Sequence, residues 1–94
     1  MQWDATKARR NLQKYGVSFE EAKELLTSTL DFLEIYDDDH SEQEDRFFAI
    51  GPIRRGLILV VYTQRHEATI RIISARWATP NEKRLYRHYQ KEHP

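Results

Sequence analysis

The stretch Thr69–Trp77, reading Thr-Ile-Arg-Ile-Ile-Ser-Ala-Arg-Trp, constrains this chain more than any other. It is rich in β-branched residues and holds no acid, as expected of a strand inside a sheet. Ala78-Thr79-Pro80-Asn81-Glu82 follows at once. Thr79 with Glu82 reads as a capping box, and Pro80 takes the first helical position, so a helix is expected to start there. Arg71, Arg76 and Trp77 therefore sit on or beside a buried strand that feeds a helix N-terminus. A guanidinium in a core strand is costly unless a partner uses its charge, so a functional reading begins with these residues.

A chain of 94 residues makes one domain with a single modest core. It contains no cysteine, which excludes a disulfide frame and a thiolate zinc site. The longest apolar run, Leu57–Tyr62, is far too short to cross a bilayer. Asp4 stands where a secretory signal would be basic and apolar, so a cytoplasmic protein is expected. The net charge is zero, but residues 1–45 carry 5 Lys/Arg against 12 Asp/Glu, and residues 46–94 carry 10 against 3. Unless the fold intermixes the halves, one part of the surface can meet phosphate and another a basic partner.

In chain order, Asp4 is an N-cap with Trp3 stapled towards Ala8. Ala8, Leu12 and Tyr15 follow helical spacing, and Gly16 is the expected left-handed stop. Lys7, Arg9, Arg10 and Lys14 decorate the rest of that helix, an arrangement also typical of a plain solvated face. Ser18 with Glu21 opens a second helix that buries Phe19, Ala22, Leu25 and Leu26. Leu30–Tyr36, Arg46–Gly51, Leu57–Arg65 and Thr69–Trp77 read as four strands whose short connections imply an antiparallel meander. Thr79–Glu92 closes the chain as a helix with Leu85, Tyr86 and Tyr89 as its buried stripe. The fold class is α+β: two N-terminal helices, a four-stranded antiparallel sheet and a C-terminal helix, in one domain over 1–94. Asp37–Asp45 is an acidic loop in which carboxylates and His40 could hold a divalent cation. It lacks calcium-loop spacing and a glycine at the sharp turn, so a solvated or partner-facing loop is the other reading.

A two- or four-residue third turn would place Tyr62 opposite Arg71, Val60 opposite Ile73 and Leu57 opposite Arg76. Arg71 and Arg76 are five apart, so a regular strand sends them to opposite faces, and only a bulge would bring them together. Arg71 beneath Tyr62 would then be a cation–π pair. Arg76, three residues before a helix N-cap, is better placed to meet an anion, with the helix dipole adding to the field. A salt bridge to one of the many acids is the plain alternative for each arginine.

The run Trp-Asp-x-x-Lys-Ala-x-x-Asn-Leu-x-Lys-Tyr-Gly-Val-Ser-Phe-Glu-Glu-Ala at Trp3–Ala22 resembles the opening of the BrnT toxin family. Further blocks agree in order: Asp39-His40-Ser41-Glu42, Arg46-Phe47, Ile50-Gly51, Arg71–Arg76, Ala78-Thr79, Glu82 and Tyr86. This resemblance implies a RelE-like ribonuclease fold and the toxin half of a type II toxin–antitoxin pair, which cuts RNA and stops translation. It also implies a BrnA-like antitoxin with a ribbon-helix-helix region, in a two-plus-two assembly that reaches operator DNA only through the antitoxin.

Metal-free RNA cleavage needs a base for the 2′-hydroxyl, an acid for the leaving oxygen and cations around the phosphorane. Arginine suits the last role because its fork matches phosphate oxygens. Arg65 and Arg76 are the first candidates and Arg71 the third. His66 suits proton transfer, and Glu67 is the alternative base. Lys7 and Arg46 fit phosphate positioning, and Trp77 or Tyr86 could stack an unpaired base, with Trp77 equally a core candidate. No metal or other cofactor is implied. No Ser-His-Asp, Cys-His, phosphate-cradling glycine loop or HExxH pattern points to another enzyme class. The alternatives are a non-catalytic RNA- or antitoxin-binding module, or an antitoxin-binding relic without activity.

Overall fold

Each helix begins where its capping side chain stands. In α1 (Ala5–Tyr15) the Asp4 carboxylate accepts the backbone N–H of Thr6 at 2.8 Å and of Lys7 at 3.1 Å. Those two bonds hold the Asp4 pKa below its usual value. Gly16 ends the helix at φ 71, a backbone that favours glycine. In α2 (Phe19–Thr27) and α3 (Pro80–Glu92), Ser18–Glu21 and Thr79–Glu82 form complete capping boxes. The computed structural model describes residues 1–29, 31–65 and 69–93.

Between α2 and α3 run β1 (Leu33–Tyr36), a 3-10 turn (Asp38–His40), β2 (Asp45–Ile53), β3 (Gly56–Arg65) and β4 (Thr69–Trp77). The strands pair antiparallel in the order β1-β2-β3-β4, the expected meander. β1 starts at Leu33, later than expected, with Leu30 outside the described residues, and β2 extends through Pro52 to Ile53. Pro52 fits a middle strand because β1 pairs only as far as Ile50, so its missing N–H is not needed there.

One face of the sheet packs under α1 and α2. Val17, Phe19, Ala22 and Leu25 meet Ala49, Ile53, Ile58, Val60, Tyr62, Ile72 and Ala75. Each large aliphatic or aromatic side chain fully buried there contributes roughly 1.5–3 kcal/mol. Gly51 is required by close approach, since a Cβ would lie 2.7 Å from Leu25 Cδ1 and 2.8 Å from Phe32 Cβ. On the opposite face α3 lays Tyr86 and Tyr89 over Leu33, Phe48, Ile50, Leu57, Leu59 and Val61. The helical stripes differ from the expected ones: Leu12 and Leu85 are exposed, while Asn11 is the buried residue of α1.

Asn11 explains how α1 is held. Its amide donates to Ala75 O at 2.7 Å and to Val17 O at 2.9 Å, and its carbonyl accepts Ala75 N–H at 3.1 Å. It therefore imitates a ladder partner on the outer edge of β4. Gln2 does the same further along, donating to Ile70 O and accepting from Ile72 N–H. That edge of the sheet is thus closed to further pairing.

Candidate functional site

The register of β3 and β4 decides what this site can be. Arg65 lies opposite Thr69, so three residues separate the paired strand ends, and a bulge falls between Val61 and Tyr62. The pairing expected for a turn of two or four residues is therefore corrected: Tyr62 faces Ile72, Thr63 faces Arg71 and Leu59 faces Arg76. Ile73 is the extra residue on β4. Its insertion reverses the alternation once, so Arg71 and Arg76 share a face despite their odd spacing. A cation–π pair of Arg71 with Tyr62 is excluded by the same register. Arg46, Thr63 and Arg71 line up across β2, β3 and β4 on the face that α3 covers at its other end.

That open end is a groove of about 450 Å³. Arg46, Thr63 and Ile73 line it from the sheet, Lys7 from the first turn of α1, and Asp39, His40, Glu42 and Glu44 from the β1–β2 connection. A second hollow shares Lys7 and Ile73 with it and continues along α1 past Arg10, Lys14 and Tyr15. The Asn11 clamp fixes this continuation, since Lys7 and Lys14 stand one turn to either side of it.

Two buried polar atoms in the groove's lining lack partners. Thr63, only 5% exposed, has its hydroxyl without a hydrogen bond among the described residues. The Nε of Arg46, its cross-strand neighbour, is in the same position. The nearest acid to Arg46 is Asp37, whose Oδ2 stops at 3.8 Å, an ion-pair distance too long for a hydrogen bond. Buried polar groups are nearly always satisfied, and adjacent donors left open mark a place where an anion would satisfy both.

The other residues singled out in the sequence are placed as follows. Arg76 gives both guanidinium nitrogens to Glu82 at 2.8 Å, and NH1 also donates to Trp77 O. This fork raises the Arg76 pKa and lowers that of Glu82. Glu82 is the capping-box acid of α3, so Arg76 ties strand end to helix start. Arg71 lines a separate depression with Met1, Gln2, Trp3 and Asp4. Arg65 ends β3 opposite Thr69, while His66 and Glu67 lie outside the described residues. Trp77, 38% exposed, carries the Arg55 guanidinium at 4.9 Å from its ring centroid. Tyr86 is buried, and its hydroxyl donates to Asp31 O at 3.2 Å. Lys7 and Arg46 are the two candidates that the fold brings together.

Sequence reading passed over Thr63 and the pairing of Asp37 with His40. Thr63 gives no local signal, because only the register puts its hydroxyl between two arginines. Asp37 and His40 are three apart, a spacing that a single helical turn closes. Among the described residues no group of three or more His, Asp or Glu is arranged to hold a metal ion. No helix among them is long and apolar enough to cross a membrane.

Together these features define a small α+β protein with a groove at the uncovered end of an antiparallel sheet, where Lys7 and Arg46 face an acidic connection. A family model described as "Ribonuclease toxin, BrnT, of type II toxin-antitoxin system" matches residues 3–82, and the chain belongs to that family. The family implies an RNA substrate and an antitoxin partner. The fold is also similar to the 1.1 Å crystal structure of the Brucella abortus ribonuclease toxin, BrnT. That similarity has a TM-score of 0.64 at 23% identity, over 84% of this chain and 95% of the Brucella chain. No curated protein matches the sequence.

Proposed function

We propose that this chain is a metal-independent endoribonuclease that cleaves RNA by attack of a 2′-hydroxyl on the adjacent phosphorus. On this reading it inhibits translation and is neutralised by a BrnA-like ribbon-helix-helix antitoxin in a 2:2 complex. The observation that carries the reading is the unpartnered pair at the base of the groove, Arg46 Nε beside Thr63 Oγ1, with Lys7 above. A bridging phosphodiester gives both donors an acceptor, and cations around phosphorus stabilise the charge that grows in the transition state. Arg71 extends the row, and Arg65 closes the same hairpin. Arg76 serves by holding the start of α3 against the strand. Proton transfer falls to a group near the groove, for which the sequence offers His66 and Glu67. Trp77 offers an exposed ring for base stacking.

The test is incubation of the purified protein with end-labelled single-stranded RNA in excess chelator. Products ending in 2′,3′-cyclic phosphate and 5′-hydroxyl are expected, with Arg46→Ala slower by roughly 100-fold or more. Intact RNA with wild-type protein, or cleavage that stops on adding chelator, would refute the reading. A second reading is favoured by the acidic wall of Asp39, Glu42 and Glu44 along the groove. In it, the chain is a non-catalytic module that binds a basic antitoxin segment. Tight antitoxin binding without RNA products would select it.

A further inference from the structure

We infer that His40, oriented by Asp37, is the base that takes the 2′-hydroxyl proton in this groove. The inference rests on the ribonuclease reading and gives it a proton-transfer group that the sequence did not single out for that role.

The Asp37 backbone is held from two sides. Asp37 is 6% exposed, its N–H donates to Arg46 O at 2.8 Å, and its carbonyl accepts the Ser41 hydroxyl at 2.6 Å. Ser41 Oγ in turn accepts the Arg46 N–H at 3.0 Å, so the start of β2 and the turn are tied together. The 3-10 turn Asp38–His40 then folds His40 back over Asp37, with Nδ1 2.9 Å from Oδ2. A carboxylate can only accept, so Nδ1 carries the proton and the neutral ring keeps its free lone pair on Nε2. His40 remains 64% exposed and lines the same groove as Lys7, Arg46 and Thr63. A buried acid beneath an exposed imidazole that borders unpartnered phosphate donors is the arrangement that general base catalysis requires.

The step balances without a co-reactant other than water. Nε2 accepts the 2′-hydroxyl proton as the 2′ oxygen bonds to phosphorus. The P–O5′ bond breaks with its electron pair passing to the 5′ oxygen, which takes a proton from water. The hydroxide left behind removes the imidazolium proton, leaving a 2′,3′-cyclic phosphate, a 5′-hydroxyl and the neutral histidine. His40 is 64% exposed, so replacing its ring leaves the core unchanged.

Among the described residues, the ionisable groups facing His40 are Asp37, Asp39, Glu42 and Glu44 from its own connection, Arg46 from β2 and Lys7 from α1. The experiment compares wild type, His40→Gln, His66→Gln and Asp37→Asn in single-turnover cleavage and in binding of a non-cleavable 2′-O-methyl RNA. His40→Gln is expected to lose about 100- to 10,000-fold in rate while its RNA affinity changes less than about twofold. Added imidazole should restore part of the rate to a His40→Gly variant, which keeps the groove but lacks the ring. Asp37→Asn should lower the single-turnover rate while RNA affinity stays unchanged, a split that a merely structural role would not produce. Wild-type cleavage retained in His40→Gln, loss of affinity in step with rate, or loss in His66→Gln alone would each overturn this inference. Wild-type protein that cuts no RNA would instead overturn the ribonuclease reading and this inference with it.

Discussion

Replacing Thr63 with valine should make this protein more stable and worse at its task. The hydroxyl of Thr63 is buried and has no hydrogen-bond partner among the described residues. Such a group costs about 1–3 kcal/mol relative to a satisfied or absent one. Valine has nearly the same shape and the same β-branched preference for a strand, so Thr63→Val removes the penalty without a cavity. For a domain of this size each kcal/mol moves Tm by about 4–8 °C, and a rise of roughly 5–15 °C is expected. The same hydroxyl is the proposed donor to a phosphate, and a hydrogen bond to a charged group is worth about 1.5–3 kcal/mol. Affinity for a non-cleavable single-stranded RNA should therefore fall by roughly 10- to 150-fold. Thermal unfolding by circular dichroism and binding by fluorescence anisotropy read the two effects independently. A lower Tm would mean that the hydroxyl is satisfied within the fold. Unchanged RNA affinity would mean that the groove binds something else.

Three further substitutions probe the frame around the groove. Asn11→Ala leaves Ala75 N–H, Ala75 O and Val17 O without their partner and should lower stability by about 3–5 kcal/mol in urea unfolding. Gly51→Ala places a methyl 2.7 Å from Leu25 Cδ1 and should lower the urea midpoint by the equivalent of about 1–3 kcal/mol, with the m-value unchanged. Arg55 bonds Glu21 through Nε and NH2 at 2.8 Å each, and this fork chiefly draws the Glu21 pKa from 4.5 down to about 2. A depressed carboxylate stabilises the fold above its unfolded value, so Tm should fall as pH drops from about 4.5 towards 2. Glu21→Gln should flatten that part of the pH profile, and an unchanged profile would show that the pair contributes nothing in solution.

What could be read from the sequence was whatever local chemistry decides. Asp4, Ser18 and Thr79 cap within three residues of their partners, and Gly16 stops α1, so helix starts and strand order were visible in the residues. The register was not, because a three-residue separation of Arg65 from its partner Thr69 and an inserted Ile73 change no composition and leave no periodic mark. That one insertion overturns the parity argument for Arg71 and Arg76. The helical stripes misled for a related reason. α1 is fastened by the amide of Asn11 on a strand edge, a bond that hydrophobic spacing cannot announce, and Leu12 is thereby left outside. Arg76 was legible as a cation near a helix start. Its partner Glu82 was equally legible, as the capping acid, but nothing in one dimension says that one carboxylate does both.

The distribution of acids explains why Arg46 keeps an open donor in a chain of zero net charge. Arg76 has Glu82, and Arg55 has Glu21 together with Gly16 O. Each of those arginines is held in a bidentate fork, so its field is largely cancelled and it braces two elements. Arg46 lacks such a fork, because the one buried acid beside it, Asp37, bonds His40 at 2.9 Å and approaches Arg46 Nε no closer than 3.8 Å. Supplying a closer acid in the groove, as Thr63→Glu would, should satisfy Arg46 within the fold and abolish RNA binding together. A Thr63→Glu protein that folds and still binds RNA as tightly as wild type would show that the groove is not where the phosphate sits.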